Sequence, residues 1–478
     1  MRKWWPLVTV CLGTFMLLID VTIVNVALPR MAADLHSTFG NLQWVIDGYA
    51  LALAVLLLGA GALADRIGHR RLYAAGLAVF ALSSLACGLA TSDGFLIAAR
   101  VVQGAGAAAM FTTTFALLNS AYQGRERGVA YGVWGGVSGA AAAIGPVLGG
   151  LLTDALNWRW IFLVNLPISI AALLLCRFVL RPDGAGRQGR FDFAGTAAFT
   201  VAATALTLTV IRANEHGWSW WLFAVAVVAL AGFVAIELRS PHAMFDLRLL
   251  RNRSFAGILI AALLVNFAGF AILTYTSIWL QSLVGLTPLQ AGLTALPMGL
   301  LSLVVSGVAG AKLHGRSPRV LIGTGMLLIA AGAALGAILL DQGSSWPALL
   351  PGYALVGLGV GLVMPNLAES GMAAVPPHRG GMAAGALNTA RQLGYAIGVA
   401  AVGAIFLSRA TSSLGGDSAA AHALASGRGG SPAAAAAGLD AGFWLSAGVG
   451  LVGALAVFLL VRPVKRTQAQ RPEPASVS

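Results

Sequence analysis

The sequence is short of charge, of cysteine and of lysine, and each shortage excludes something. Only 10% of its 478 residues are Asp, Glu, Lys or Arg, less than half of the roughly 25% found in soluble globular chains. So little polar surface rules out a cytosolic enzyme, a disordered chain and a nucleic-acid binder. The net charge of +13 fits basic residues crowding the cytoplasmic loops of a membrane protein. The three cysteines, Cys11, Cys87 and Cys176, all sit in apolar runs, which indicates neither a disulfide frame nor a thiolate zinc site. The seven histidines lie in or beside connecting segments with no pair at helical spacing, so no metal site is expected. None of the three lysines, Lys3, Lys312 and Lys465, lies in a phosphate-cradling G-x-x-x-x-G-K-[ST] loop, so any transport runs on a gradient unless a partner supplies nucleotide. Gly448-x-Gly450-x-x-Gly453 matches the dinucleotide fingerprint, but it lies inside an apolar run with no strand before it and reads as a packing face.

What the chain has instead is length and apolarity. Hydrophobic residues make up 58%, with 60 glycines, a mixture suited to close helix packing in lipid. Fourteen stretches reach the ~20 residues that a membrane helix needs. They are Pro6–Ala27, Leu42–Leu63, Leu72–Ala90, Phe95–Leu118, Ala130–Thr153, Trp160–Val179 and Phe193–Ile211. The others are Trp220–Ile236, Phe255–Gln281, Ala291–Ala311, Val320–Leu340, Ala348–Pro365, Ala383–Leu407 and Ala441–Leu460. No cleavable signal is expected, because Met1-Arg2-Lys3 leads into a span too long for a signal core. With both termini in the cytoplasm, 23 Lys/Arg fall on inner segments and five on outer ones, the bias that sets orientation. All twelve tryptophans fall near predicted span ends, as interfacial anchors do. Arg181–Asp192, with its glycines, reads as a loop joining two bundles. Glu237–Ser254 reads either as an amphipathic segment on the inner membrane surface or as a plain basic connector. The Ala/Gly/Ser-rich stretch Arg409–Asp440 is assigned no function.

Charges inside spans each need a reason, since one at mid-bilayer costs ~2.5–3.5 kcal/mol or more. At 1.5 Å per residue, Asp20 lies ~12 Å from the outer end of the first span, and Asp47 and Arg100 lie ~8 Å into spans two and four. Arg100 is long enough to reach either carboxylate, and Gln103 and Gly104 share its helix face. Two acids and one base leave one carboxylate without a cation, a group able to load and release a proton. The alternative is a static ion pair that joins helices.

Asp20 to Pro29, Gly61 to Arg71, Arg100 to Gly106 and Gly145 to Gly150 together resemble the motifs of the fourteen-span drug:proton antiporters of the major facilitator superfamily. Asp20 to Pro29 resembles the span-one signature, and Gly61-Ala62-Leu63-Ala64-Asp65-Arg66-Ile67-Gly68-His69-Arg70-Arg71 the loop motif between spans two and three. Arg100 to Gly106 is similar to the span-four motif, and Gly145-Pro146-Val147-Leu148-Gly149-Gly150 to the span-five antiporter motif. Asp246 to Leu249, Ala291-Gly292 with Pro297, and Asn388 to Gly394 match further on. The resemblance implies an all-α polytopic membrane protein of two six-helix bundles plus two extra helices. It divides into residues 1–180, a connecting region 181–254, residues 255–461 and a cytoplasmic tail 462–478. The bundles rock about a central site.

The implied function is export of hydrophobic or cationic small molecules across the bacterial inner membrane, driven by proton entry. No cofactor is implied, and the protein acts as a monomer whose partners are substrate, protons and lipid. An importer or exporter of one specific metabolite and a non-transporting receptor are the rival readings. Asp20, Asp47 and Arg100 are the proton-coupling candidates. Asp65 is expected to face the positive N-terminal end of a second-bundle helix starting near Gly380. Gly61, Arg66, Gly68 and Arg70 complete the gate, although Arg66, Arg70 and Arg71 also read as plain orientation charges. Gly145, Pro146, Gly149 and Gly150 let span five bend and pack closely. Asn25, Gln103, Phe111, Phe115, Asn266, Phe270, Tyr275 and Asn388 are candidate pocket residues. The second copy of the loop motif, Gly310 to Arg319, has no acid where Asp65 stands in the first. Glu369 and Arg391 either pair or face water at the loop.

Overall fold

The computed structural model describes residues 2–37, 39–180, 191–216, 219–240, 243–313, 316–376, 379–427 and 430–462. Most of the expected joining loop (181–190) and nearly all of the expected tail (463–478) lie outside the described residues. The described residues contain helices and no strand.

The first group of helices is α1 (Trp5–Asp34), α2 (Phe39–Ile67), α3 (His69–Gly88), α4 (Asp93–Ala121) and α5 (Gly124–Ala155). It ends with the one-turn α6 (Trp160–Leu163) and α7 (Asn165–Val179), broken at Val164. Next comes a pair, α8 (Phe193–His216) and α9 (Trp220–Arg239). The second group is α10 (Arg253–Phe270), α11 (Ile272–Ser282), α12 (Pro288–Thr294), α13 (Leu296–Lys312), α14 (Pro318–Leu339) and α15 (Leu350–Ala373). It closes with α16 (Gly380–Ser413), the short α17 (Ser418–Ala425) and α18 (Pro432–Leu460).

Each predicted stretch falls on one helix or one broken pair. Among the described residues, twelve helices are long and apolar enough to cross a membrane. The remaining two stretches lie on α5 and α8, each of which includes residues whose side chains lie outside the described ones; α8 is described as apolar over Phe193–Thr209. The stretch Arg409–Asp440 is largely helical: alanine is the best helix former, and Asp417 caps α17 by accepting the Ala420 N–H at 3.0 Å.

Lys3 pairs with Glu126 at 2.7 Å, and the Arg462 N–H donates to Ser254 Oγ at 3.0 Å. Arg127, Ser254, Glu369 and Arg462 line one cavity of about 610 Å³. Both described chain ends thus lie on one side of the molecule, the termini end. There a single apolar cluster runs from α2 and α4 across to Met372 of α15 and Met382 to Ala386 of α16. A second cluster fills the interior of the second group, between α10, α14, α15, α16 and α18.

Trp134 departs from the interfacial pattern: it is fully buried and donates its indole N–H to Thr14 Oγ1 at 3.0 Å. A buried indole needs such an acceptor, and Thr14 on the neighbouring α1 supplies it. The glycine run of α18 behaves as a packing face at two of its three positions. A Cβ on Gly450 would come within about 3.0 Å of Ala330 backbone and Cβ atoms on α14, whereas one on Gly448 would meet nothing within 4 Å. Gly450→Val should therefore destabilise the fold by ~1–3 kcal/mol through overpacking, and Gly448→Val should be near neutral. Thermal unfolding of the purified protein in detergent measures both.

Candidate functional site

Asp20 sits in the middle of α1 with no exposed surface, and Arg100 of α4 is 1% exposed. Arg100 Nη1 donates to Asp20 Oδ2 at 2.5 Å. Asp20 Oδ1 accepts from Gln103 Nε2 at 3.1 Å and Asn165 Nδ2 at 3.0 Å. Arg100 in turn donates to Gln103 Oε1 at 2.8 Å and to the Val45 carbonyl at 3.0 Å, and its guanidinium lies 4.1 Å from the Tyr49 ring centroid. Of the two candidate acids, Asp20 is thus the one that takes the cation. Asp47 is only partly buried.

Glycines bring the helices close enough for this. A Cβ on Gly104 would lie 2.5 Å from the Tyr49 carbonyl, so α2 and α4 cross in backbone contact one turn from Arg100. Gly145 and Gly149 do the same for α5 on α1: a Cβ there would lie 1.8 Å from Thr22 Oγ1 and 2.8 Å from the Ile23 carbonyl. The span-five motif therefore backs the turn of α1 that carries Asp20. Gly150 continues the same helix, half-buried. The side chains of Pro146 and Asn25 lie outside the described residues.

Sequence reading missed Asn165 and Ser84. The break between α6 and α7 places Asn165 at the start of α7, where its amide also donates to Ser84 Oγ at 3.1 Å, and Ser84 donates to the Phe162 carbonyl at 2.9 Å. The legible signal was an amide inside an apolar run, since polar groups at that depth are placed for a reason.

At the termini end the loop motif meets the second group. Asp65 Oδ1 accepts the Gly381 N–H at 2.6 Å and Oδ2 the Met382 N–H at 2.9 Å, both in the first turn of α16. A carboxylate there satisfies free helix N–H groups and faces the positive end of the dipole. Gly61 makes the approach feasible, because a Cβ on it would lie 2.3 Å from the Gly381 carbonyl. Gly68 has φ 102° at the start of α3, a backbone conformation that suits glycine. Arg66 lies over the Phe191 ring at 5.9 Å, and Arg70 Nη2 donates to the Arg177 carbonyl near the C-terminus of α7 at 2.7 Å.

The second motif copy packs in the same way without an acid. A Cβ on Gly310 of α13 would lie 2.1 Å from the Gly128 carbonyl of α5. Nearby, Glu369 of α15 pairs with Arg127 of α5 at 3.7 Å, a partner that the sequence reading did not consider. Arg391 instead donates to Asn388 Oδ1 at 3.3 Å and lies 5.9 Å from the Phe111 ring. A third link joins Asp246 to Arg379, just ahead of α16. Burial disfavours the Asp246 charge, but hydrogen bonds from Arg379 and the Arg248 N–H outweigh it and hold the carboxyl below the usual carboxylate range.

The pocket candidates divide. Asn388 donates to the Phe111 carbonyl at 3.5 Å, so these two meet where α4 faces α16. Phe115 packs edge-on to Trp134 inside the first group (4.7 Å), and Tyr275 stacks on Phe406 inside the second (5.4 Å). Asn266 and Phe270 on α10 are half-buried, and Asn266 Oδ1 has no partner among the described residues. The described residues hold no cluster of metal-ligating side chains.

The family model of the Major Facilitator Superfamily matches residues 10–399. This chain belongs to that superfamily. It is 37% identical over 407 residues to the puromycin resistance protein pur8 of Streptomyces alboniger, covering 84% of this chain and 81% of the relative. It is 37% identical to the multidrug resistance protein Stp of Mycobacterium tuberculosis (84% and 75% covered). To the tetracenomycin C resistance and export protein of Streptomyces glaucescens it is 33% identical (85% and 77%). The human organic anion transporter MFSD10 (TETRAN) superposes with a TM-score of 0.65 at 17% identity, covering 95% of this chain and 99% of that one. The proton:xylose symporter XylE gives 0.64 at 14% identity, covering 97% and 96%. These two likenesses are of fold. The relatives and the apolar helices together make this superfamily member a multi-pass membrane transporter of small molecules.

Removing one charge-assisted hydrogen bond costs ~1.5–3 kcal/mol, which moves a two-state equilibrium roughly ten- to a hundredfold. Asp65→Asn should therefore raise the population in which the termini end is open. Spin labels at Arg71 and Ala373 report this as a longer inter-label distance. An unchanged distribution would show that the Asp65 contact carries no weight.

Proposed function

We propose that this protein exports hydrophobic or cationic small molecules across a bacterial inner membrane in exchange for protons. In this reading it is a fourteen-span antiporter, α5 and α8 being spans as well, with both termini in the cytoplasm. The 23-to-5 distribution of Lys and Arg supports that orientation. The relatives' names as resistance and export proteins support the direction and the substrate class.

One observation carries the coupling: the Asp20 carboxylate is fully buried and held by one cation and two amides. Its charge is stable there only while Arg100 stays in contact, because a buried charge stripped of its partner costs ~3–5 kcal/mol. A rocking motion that draws α4 away from α1 would leave Asp20 to take a proton instead. Return of Arg100, or arrival of a cationic substrate, would expel it. Proton uptake and substrate release thus become opposite states of one carboxylate. One proton moving down a membrane potential supplies ~2.3 kcal/mol per 100 mV. Closure at the termini end by Asp65 on α16 accompanies the state described above. The substrate path follows from Phe111 and Asn388 toward Asn266 and Phe270.

Purified protein in proteoliposomes with an imposed pH difference provides the test, with ethidium as substrate. Wild type should move dye against proton flow. Asp20→Asn should lose proton-driven transport by ~100-fold or more, in line with the loss of an essential proton-transfer group, while remaining folded in the membrane. Dye movement at wild-type rate in Asp20→Asn, or at a rate indifferent to the pH difference in wild type, would overturn the reading.

A further inference from the structure

The cavity at the termini end carries more positive than negative charge, and no step above uses it. Its walls come from both groups: the start of α5 on one side, and the ends of α10, α13, α14, α15 and α18 on the other. Its volume of about 610 Å³ falls within the roughly 300–1,000 Å³ of small-molecule sites. Arg127, Arg316 and Arg462 line it against one carboxylate, Glu369, which leaves a net charge of +2 (three minus one).

The protein does not use up these arginines. Arg127 donates from Nη1 to Asn119 Oδ1 at 2.9 Å and pairs its Nη2 with Glu369 at 3.7 Å, but its Nε is buried and has no partner among the described residues. An N–H buried without an acceptor carries a desolvation cost that an incoming oxygen removes. Arg316 and Arg462 are exposed, and among the described residues neither pairs with a carboxylate. Ser317 Oγ, next to Arg316 and at the N-cap of α14, is also buried without a partner among the described residues. The positive end of the α14 dipole stands at the same wall through Pro318. The cavity also marks the second copy of the loop motif, Gly310 to Arg319, where no acid stands in the place of Asp65.

We propose that this cavity binds one phosphate group, held by Arg127 Nε, Arg316 and Arg462, and that the bound anion ties the two groups of helices together. The guanidinium fork matches phosphate oxygens in pairs, and basic pockets between membrane helices take lipid headgroups of this kind. The phosphate offsets the charge that Glu369 leaves unmatched. An anionic phospholipid headgroup and free inorganic phosphate offer the same chemistry, and the two sources are separable by experiment. Arg127 belongs to the first group of helices, Arg316 and Arg462 to the second. A phosphate among them therefore braces the closed end beside the Gly310–Gly128 contact. The site lies away from Asp20 and requires nothing of the substrate, the proton coupling or the direction of transport.

Thermal unfolding of the full chain in detergent tests this, with dioleoylphosphatidylglycerol, dioleoylphosphatidylcholine or inorganic phosphate added at constant ionic strength. A ligand that binds only the folded state raises Tm with its concentration. Phosphatidylcholine, whose choline cancels the phosphate charge, should leave the wild-type Tm unchanged. A rise with phosphatidylglycerol alone assigns the site to lipid, and a rise with inorganic phosphate assigns it to free phosphate; either result supports the proposal. Arg316→Gln with Arg462→Gln should weaken the apparent affinity about tenfold or more, the weight of lost charge-assisted contacts. Both side chains are exposed, so this variant keeps its packing. Arg239→Gln with Arg251→Gln removes the same charge from exposed positions outside the cavity and should keep the wild-type affinity. Spin labels at Gln123 and Lys312, near the α5–α13 contact, should come closer when the stabilising anion is added to wild type, but not in the Arg316 and Arg462 variant. A rise with phosphatidylcholine, no rise with either anion, or full affinity in the Arg316 and Arg462 variant would overturn the proposal. Equal loss in the Arg239 and Arg251 variant, or an unmoved label distance in wild type, would overturn it too.

Discussion

A carboxylate with no water around it must be given its donors by the protein, and in this molecule the need falls on Asp20. One guanidinium and two amides surround it, drawn from α4 and α7, while α5 packs behind it. Each donor arrives by a separate backbone device. The α2–α4 crossing at Gly104 brings Arg100 under Tyr49, the break at Val164 turns Asn165 inward, and Gly145 and Gly149 let α5 close on the opposite side. Loosening any of these exposes a charge with no partner, which is costly in a low-dielectric interior. The same cost makes the complete pair the stable arrangement of these helices.

At the termini end, backbone contacts and charges join the two halves beside the apolar cluster that runs between them. Motif glycines Gly61 and Gly310 each allow one backbone to touch the other group, at Gly381 and Gly128. The acid that the second copy lacks is replaced by a cross-group pair of different geometry, Arg127 with Glu369. The closure is thus symmetrical in its backbone contacts and asymmetrical in its charges. Its two sides should respond differently to salt, since the half-exposed Arg127–Glu369 pair is screened more than the buried Asp65 carboxylate.

Much of this was legible in the sequence because membrane proteins write their constraints in apolar runs and rare charges. Helix positions, an Arg100 within reach of Asp20 or Asp47, and Asp65 facing the start of α16 followed from where a charge or a glycine interrupts such a run; which acid Arg100 takes did not. What escaped was pairing between distant segments. For Glu369 and Arg391 the sequence left pairing with each other or facing water open, whereas Glu369 reaches Arg127 of the other group and Arg391 turns to Asn388. Asn165 and Trp134 were hidden for a related reason. Their meaning depends on which helix faces them, and periodicity alone does not specify that.

The central claim is that the Asp20 carboxylate gives up its proton when cargo binds. Calorimetric titration of the purified transporter with ethidium in two buffers of different ionisation enthalpy counts the protons released. The account predicts about one proton per bound ethidium in wild type, the count expected for a single linked group, and none in Asp20→Asn. No proton release from wild type, or equal release from both proteins, would contradict it.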